Sequence, residues 1–156
     1  MILKLSFKDS PEIPYKRIKR NGDMTTVTLT GSFKIPSQIS RLPQSVIDWM
    51  FQGGLIYRVS ADNVFFIGVT GKTTRHPNDI PDSILAERIA EARAKLKLYK
   101  FMHSLASKLS EHLNNFQYGE SVFPTVNSKK ECLFNTILRY GTLIGNEYEH
   151  LNKLMN

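Results

Sequence analysis

Hydrophobic and polar residues alternate along the first half of the chain, which is the pattern of β-strands with one buried face. Residues 2–8 alternate in this way. The stretch from Tyr15 to Arg20 then leads into Asn21-Gly22, which favours a tight hairpin turn because both residues tolerate positive φ. The returning strand is predicted to place four apolar residues on its buried face: Val27, Leu29, Phe33 and Ile35.

A second hairpin is predicted after a short helix. Pro43 suits the first position of a helix, and apolar residues recur at helical spacing up to Gln52, where two glycines can end it. Leu55 to Ser60 and Val64 to Thr73 then predict two strands around a turn at residues 61–63. Because the connections between strands are short, the sheet is predicted to be mainly antiparallel.

The periodicity becomes helical after Thr74. Asp82 or Ser83 can cap a long helix that continues to about Leu113 and would be roughly 45 Å long. A capping box at residues 128–131 predicts the start of a last helical segment. The apolar stripe of the long helix rotates around its axis between the two halves, so one flat sheet cannot cover both. Either the helix bends near Tyr99, or its far half packs on the last helix or on a helix of another subunit. We favour helix–helix packing, for which a homodimer is one arrangement.

These elements together predict an α+β fold. It consists of an N-terminal antiparallel sheet of hairpins with one short helix, then a long helix and a C-terminal helical segment. Residues 1–156 are expected to form a single domain, in which 1–74 is mainly β and 82–156 mainly α. A chain of this length can form one hydrophobic core.

Charge and cysteine content narrow the class of protein. The net charge is +7, which favours acidic partners through long-range attraction. No apolar run approaches the ~20 residues of a membrane-spanning helix, so no membrane partner is expected. The only cysteine, Cys132, cannot form an intramolecular disulfide, which fits a reducing cytosol. Its apolar neighbours predict a small buried side chain.

The sequence contains no recognisable catalytic motif, so we expect a protein that is not an enzyme and has no cofactor. Residues 68–74 match a phosphate-binding loop only in part, because Phe66 stands where that loop needs its first glycine and no helix follows directly. His76, Asp79 and Asp82 are conceivable metal ligands, but no second histidine or cysteine lies near them in sequence. The two aspartates are expected to cap turns instead, so no metal site is predicted.

Basic residues give the strongest indication of binding. Four cations fall within five residues beside the first hairpin turn, and four more align on the long helix in a stretch without acidic residues. The predicted partner-binding residues are Lys16, Arg17, Lys19, Arg20, Arg93, Lys97, Lys100 and Lys108. Four aromatic residues in or beside the predicted strands either belong to the core or could stack on bases: Tyr15, Tyr57, Phe65 and Phe66.

The junction between the two halves carries a recognisable pattern. It contains His76-Pro77-Asn78-Asp79-Ile80-Pro81-Asp82, and the helix that follows contains Ile89-Ala90-Glu91-Ala92-Arg93-Ala94. This order of a strand, His-Pro-x-Asp-x-x-Asp and a helix with Ile-Ala-x-x-x-Ala resembles a pattern in small phage and prophage accessory proteins.

The resemblance implies a protein of the bacterial host's cytoplasm that counters host defence by binding rather than by chemistry. An anti-CRISPR-like inhibitor of this kind would dock on a host protein that handles nucleic acid. Two alternatives remain open. One is a nucleotide- or nucleic-acid-binding protein, such as a sponge for cyclic nucleotides. The other is a structural phage component whose long helix mediates assembly. No binding residue follows from the resemblance.

Overall fold

A computed structural model describes residues 3–7, 15–36, 42–115 and 123–156 of the chain. The elements, in chain order, are β1 (Lys16–Asn21), β2 (Met24–Lys34), α1 (Gln44–Gln52), β3 (Ile56–Val59), β4 (Val64–Thr74), α2 (Ser83–Asn115) and α3 (Phe123–Met155). The predicted α+β order of a hairpin sheet, one short helix, a long helix and a C-terminal helix is therefore confirmed.

The four strands form one antiparallel sheet in the order β1-β2-β4-β3. Both predicted hairpins are present. In the first, Asn21 pairs with Met24, so the turn residues are Gly22 and Asp23, one position later than predicted. Gly22 has a φ of 61°, as a tight turn with glycine at its first central position requires. Asn63, in the second turn, likewise has a positive φ of 58°.

The N-terminal segment differs from its prediction. Residues 2 and 8 lie outside the described ranges, and residues 3–7 form a single bridge rather than a regular strand. Ser6 exchanges two backbone hydrogen bonds with Ser32 of β2, at 2.8 and 3.0 Å. The segment is also held from α3, because the Tyr140 hydroxyl donates to the Leu3 carbonyl at 2.6 Å and accepts from the Leu5 amide at 3.2 Å. Burial raises the pKa of Tyr140 to about 12.

Helix α2 lies across one face of the sheet because its small residues allow a close approach. Ala90, Ala94 and Leu98 are fully buried in the same core cluster as Val27 and Val69 of the central strands. Gly71 of β4 faces the helix, and a Cβ atom at this position would lie 2.6 Å from the Ala94 amide nitrogen and closer still to the Ala90 carbonyl oxygen. Only glycine therefore fits there.

Helix α3 packs on the side of α2 that faces away from the sheet. Tyr140 lies beside Tyr99, with ring centroids 6.3 Å apart, and Leu151 packs against Ala92 and Leu96. Because the pairs run in opposite order along the two helices, α2 and α3 are antiparallel. Helix–helix packing thus occurs within the chain, but these contacts come from the apolar stripe of the first half of α2, whereas packing of its far half was predicted. Helix α2 is a single helix over its whole length.

The predicted start of the last helix is wrong. Residues 128–131 lie inside α3, which begins at Phe123. A Ser-x-x-Glu pattern fits a helix interior as well as a helix start, so the motif alone could not fix the boundary. At the other helices the local signals are accurate. Pro43 directly precedes α1, and Asp82 Oδ1 accepts the Leu85 amide at 2.9 Å at the start of α2.

Candidate functional site

Part of strand β4 has an open edge. Strand β3 pairs with β4 only from Phe65 to Ile67, and the last bond on this side is from the Gly68 amide to the Leu55 carbonyl, at 2.9 Å. Beyond it, β4 continues to Thr74 with no strand partner on this side among the described residues. Backbone groups of a strand point alternately to its two sides, so Thr70 and Lys72 direct both their N–H and C=O groups to the open edge.

Cations of α2 reach this edge. The Lys97 ammonium donates to the Thr70 carbonyl at 2.5 Å, and the Arg93 guanidinium donates to the Lys72 carbonyl at 2.7 Å. The two side chains are four residues apart and therefore lie on the same side of the helix. One turn further on, the Lys100 ammonium donates to the Tyr148 hydroxyl and lies 4.8 Å from the centre of its ring.

Between β4 and α2 lies a groove of about 340 Å³, here called the β4 groove. Its lining consists of Gly71, Lys72, Arg93, Leu96, Lys97 and Lys100. Among the described residues, no carboxylate lines it, and its three helix cations, Arg93, Lys97 and Lys100, form no ion pair. Since cations only donate hydrogen bonds, Arg93 and Lys97 satisfy the two strand carbonyls, and no described residue pairs with the outward N–H groups of Thr70 and Lys72. The groove therefore offers donors and positive charge to a ligand.

Lys16 and Arg20, two of the predicted binding residues, are instead paired with carboxylates of α2. The Lys16 ammonium lies 3.0 Å from Glu87 and 2.7 Å from Glu91, and Arg20 lies 3.2 Å from Glu87. The hydrogen bond to Glu91 raises the pKa of Lys16. Burial by itself would raise the pKa of Glu91, but Lys16 and Lys95 together hold it below its usual value. These pairs fasten β1 to α2.

The remaining predicted cations lie elsewhere. Arg17 and Lys19 are opposite Thr28 and Thr26 in the register of the sheet, so they lie on the face that α2 does not cover. Lys108 lies over the ring of Trp49, 5.1 Å from its centre. The eight predicted residues therefore do not form one surface, and Arg93, Lys97 and Lys100 are the ones that line the β4 groove.

The alternative sites considered from the sequence have structural explanations. Gly71 lies in a regular strand rather than in a phosphate-binding loop. In the loop before α2, Asp79 accepts the His76 amide at 3.2 Å, and Asp82 caps the helix. Over the described ranges, no group of three histidine, cysteine or acidic side chains could hold a metal ion.

A larger groove of about 430 Å³ lies where β4 ends and α2 begins. Two cations line it, Arg75 and Arg93. The Arg75 guanidinium is already held, 2.6 Å from Asp23 and with a second bond of 3.0 Å to the Asp79 carbonyl. Carboxylates of Asp79 and Asp82 also line this groove. Its charge is therefore largely balanced, and it is a weaker candidate than the β4 groove.

Sequence analysis missed Lys72 and the backbone of the open edge. A signal was present, because the second predicted strand of hairpin two, Val64 to Thr73, is longer than the first, Leu55 to Ser60. The longer strand has to extend past the end of the shorter one, and Lys72 lies in the part that extends. Of the four aromatic candidates, Phe65 belongs to the core, where it stacks on Phe33 with ring centroids 5.4 Å apart.

Comparison of the chain with protein-family models, curated proteins and solved structures finds no match. None of the helices in the described part of the chain combines the length and apolar character needed to cross a bilayer. The geometry and charge of the site are therefore the only indications of its function in the described part of the chain.

Proposed function

We propose that this protein is a non-catalytic binding protein that holds an acidic, extended segment of a partner protein in the β4 groove. The observation that carries the proposal is the uniform chemistry of the groove. Its outward amides and its cations are all hydrogen-bond donors, and none of the described residues that line it is a carboxylate. A ligand rich in carboxylates and carbonyl groups complements such a surface.

The open edge favours an extended polypeptide over a compact anion. A peptide that adds to a sheet edge aligns its carbonyl groups with the outward amides of the strand, here those of Thr70 and Lys72. Alternate side chains of the peptide point to the same side, so acidic residues at every second position would meet Arg93 and Lys97. In this proposal the two cations exchange the strand carbonyls for the partner's carboxylates, which frees those carbonyls to accept the partner's amides.

The partner class that we propose is a host protein that handles nucleic acid. The sequence resemblance to phage and prophage accessory proteins supports this choice, and so does the excess of positive charge. An inhibitor of this kind blocks a defence effector by occupying an acidic surface, and it acts in the bacterial cytoplasm. It needs neither a catalytic residue nor a cofactor.

A pair of matched double variants tests the site. Lys97→Glu with Lys100→Glu changes the groove, whereas Arg17→Glu with Lys19→Glu changes the opposite face by the same net charge. The probe is a fluorescent peptide that alternates glutamate and valine, and fluorescence anisotropy gives its dissociation constant. The groove variant should bind about tenfold or more weakly, and the control should stay within about threefold of wild type.

Two results would contradict the proposal. If both variants lose affinity equally, the peptide is attracted by net charge and not by the groove. If the unmodified protein does not bind the peptide at low ionic strength, the groove is not a site for acidic segments. Circular dichroism melting curves establish that each variant remains folded.

A further inference from the structure

The face of the sheet that α2 leaves uncovered carries basic side chains, and no acidic side chain of the four strands balances them. None of the four strands contains an aspartate or a glutamate. In the register of the sheet, Arg17 of β1 lies opposite Thr28 of β2. Lys19 lies opposite Thr26, which in turn lies opposite Lys72 of β4. These three cations are therefore on the uncovered face. Neighbouring strands of a solvated sheet commonly pair opposite charges, and no described strand residue supplies the negative partner here. We call this surface the open sheet face.

An aromatic cluster lies on the same face, towards β3. The Tyr57 ring covers Gly68, and two of its carbon atoms lie 3.7 Å from the position that a Cβ would occupy there. Phe66 lies beside it, with ring centroids 6.3 Å apart, and the Arg58 guanidinium lies 5.3 Å from the centre of the Phe66 ring. Tyr57 is 46% exposed, so its ring can accept another planar group.

Small hydroxyl side chains separate the cations from the aromatic cluster. Thr28 and Thr70 join their hydroxyl groups across β2 and β4 at 3.2 Å, and Thr26 and Thr30 lie on the same face of β2. Four strands at a spacing of about 4.8 Å separate Arg17 on β1 from Tyr57 on β3 by roughly 14 Å. The described strand residues between the cations and the aromatic cluster are therefore small, so an extended ligand can lie across the face.

We propose that the open sheet face binds single-stranded nucleic acid. Bases stack on the exposed ring of Tyr57, and phosphates contact Arg17, Lys19 and Lys72. Base–aromatic stacking on a basic sheet requires bases whose faces are free, which a duplex does not offer. This site is separate from the β4 groove, and it does not rest on the function proposed for that groove. Lys72 belongs to both surfaces, its side chain to the open sheet face and its backbone to the groove.

Binding of a fluorescent oligothymidylate, followed by anisotropy over a range of salt concentrations, tests this inference. Tyr57→Ala should weaken binding by about fivefold or more, whereas Tyr57→Phe, which keeps the ring, should bind like wild type. Arg17→Gln with Lys19→Gln should reduce the slope of log affinity against log salt by about 1.4, because two phosphate contacts are lost. Lys97→Gln with Lys100→Gln, in the groove, is the control and should leave the slope unchanged.

Each outcome decides for or against the open sheet face. Absence of oligothymidylate binding at low salt, equal affinity for a duplex, or normal affinity in Tyr57→Ala would overturn the proposal. Loss of binding in the Lys97 and Lys100 variant alone would place the nucleic acid in the groove, which also overturns it. Nuclear magnetic resonance shifts of the Tyr57 ring protons on titration provide a second measurement on unmodified protein. Binding of the acidic peptide to Tyr57→Ala reports on the groove separately.

Discussion

Replacement of Gly71 by alanine should force α2 away from the sheet. The added Cβ would lie 2.6 Å from the Ala94 amide nitrogen, and closer to the Ala90 carbonyl oxygen, where both neighbours are backbone atoms that cannot rotate away. Nonbonded heavy atoms reach their energy minimum at about 3.5–4.0 Å, so relief of the contact with the amide nitrogen requires the helix to withdraw by roughly 1 Å, and relief of the closer contact with the carbonyl oxygen requires more. A gap of that size forfeits a quarter to a half of the dispersion energy of the facing atoms.

The size of the stability loss follows from the other residues of α2 that pack on the sheet beside Gly71. Ala90, Ala94 and Leu98 are fully buried along the same face of α2, so a withdrawal loosens several layers of the core together. We expect the free energy of unfolding to fall by about 3–5 kcal/mol, at or above the usual cost of an overpacked core. This is a large share of the stability of an ordinary domain, which is about 5–15 kcal/mol.

Urea denaturation monitored by circular dichroism measures the effect, with Gly68→Ala as the matched control. Gly68 lies in the same strand, but a Cβ there would make only ordinary contacts of 3.7–3.8 Å with Tyr57 and Thr30. The control should be neutral or stabilising by up to about 1 kcal/mol, because alanine loses less backbone entropy than glycine on folding. A loss below about 1 kcal/mol in Gly71→Ala, or equal losses in both variants, would refute the close packing of α2 on β4.

Three further changes test the contacts that fasten the elements together. Lys16→Gln should lower the free energy of unfolding by about 1 kcal/mol at neutral pH. The difference from wild type should shrink as the pH falls below 4.5, the ordinary pKa of a glutamate, because the lowered pKa of Glu91 stabilises the fold only while its carboxyl is ionised. An unchanged difference at low pH in thermal melts would argue against the pair. Tyr140→Phe leaves the Leu3 carbonyl and the Leu5 amide without their partner and should cost about 1–3 kcal/mol, with faster amide exchange at Leu5 as the specific sign. Asp82→Ala should cost about 1 kcal/mol through loss of the helix cap, whereas Asp82→Asn should restore most of it in the same urea assay.

Local signals predicted most of the fold. Three of these signals are the dipeptide at the first turn, Pro43 before α1 and Asp82 before α2. Each determines the conformation of only the few residues next to it, so its effect can be predicted from a short stretch of sequence. The start of α3 was missed because a Ser-x-x-Glu pattern inside a helix has the same spacing as one at its start.

The candidate site was only partly predictable, because it depends on contacts between distant residues. Arg93, Lys97 and Lys100 were found from their helical spacing alone. Because side chains of a strand alternate between its two faces, the sequence of β1 already places Lys16 and Arg20 on one face and Arg17 and Lys19 on the other. It does not show that Lys16 and Arg20 are paired, because their carboxylate partners lie about seventy residues further along the chain. The donor-only character of the groove depends on where β3 ends against β4, which no local pattern of side chains specifies.

The hydrogen bond from Tyr140 to the Leu3 carbonyl joins positions 137 residues apart. A ribosome adds about 5–20 residues per second, so Leu3 waits roughly 7–27 s before the residue that secures it has been made. Once α2 has been made, its face that receives Leu151 likewise stays uncovered until that part of α3 follows. Completion of this fold is therefore tied to the synthesis of the second half of α3.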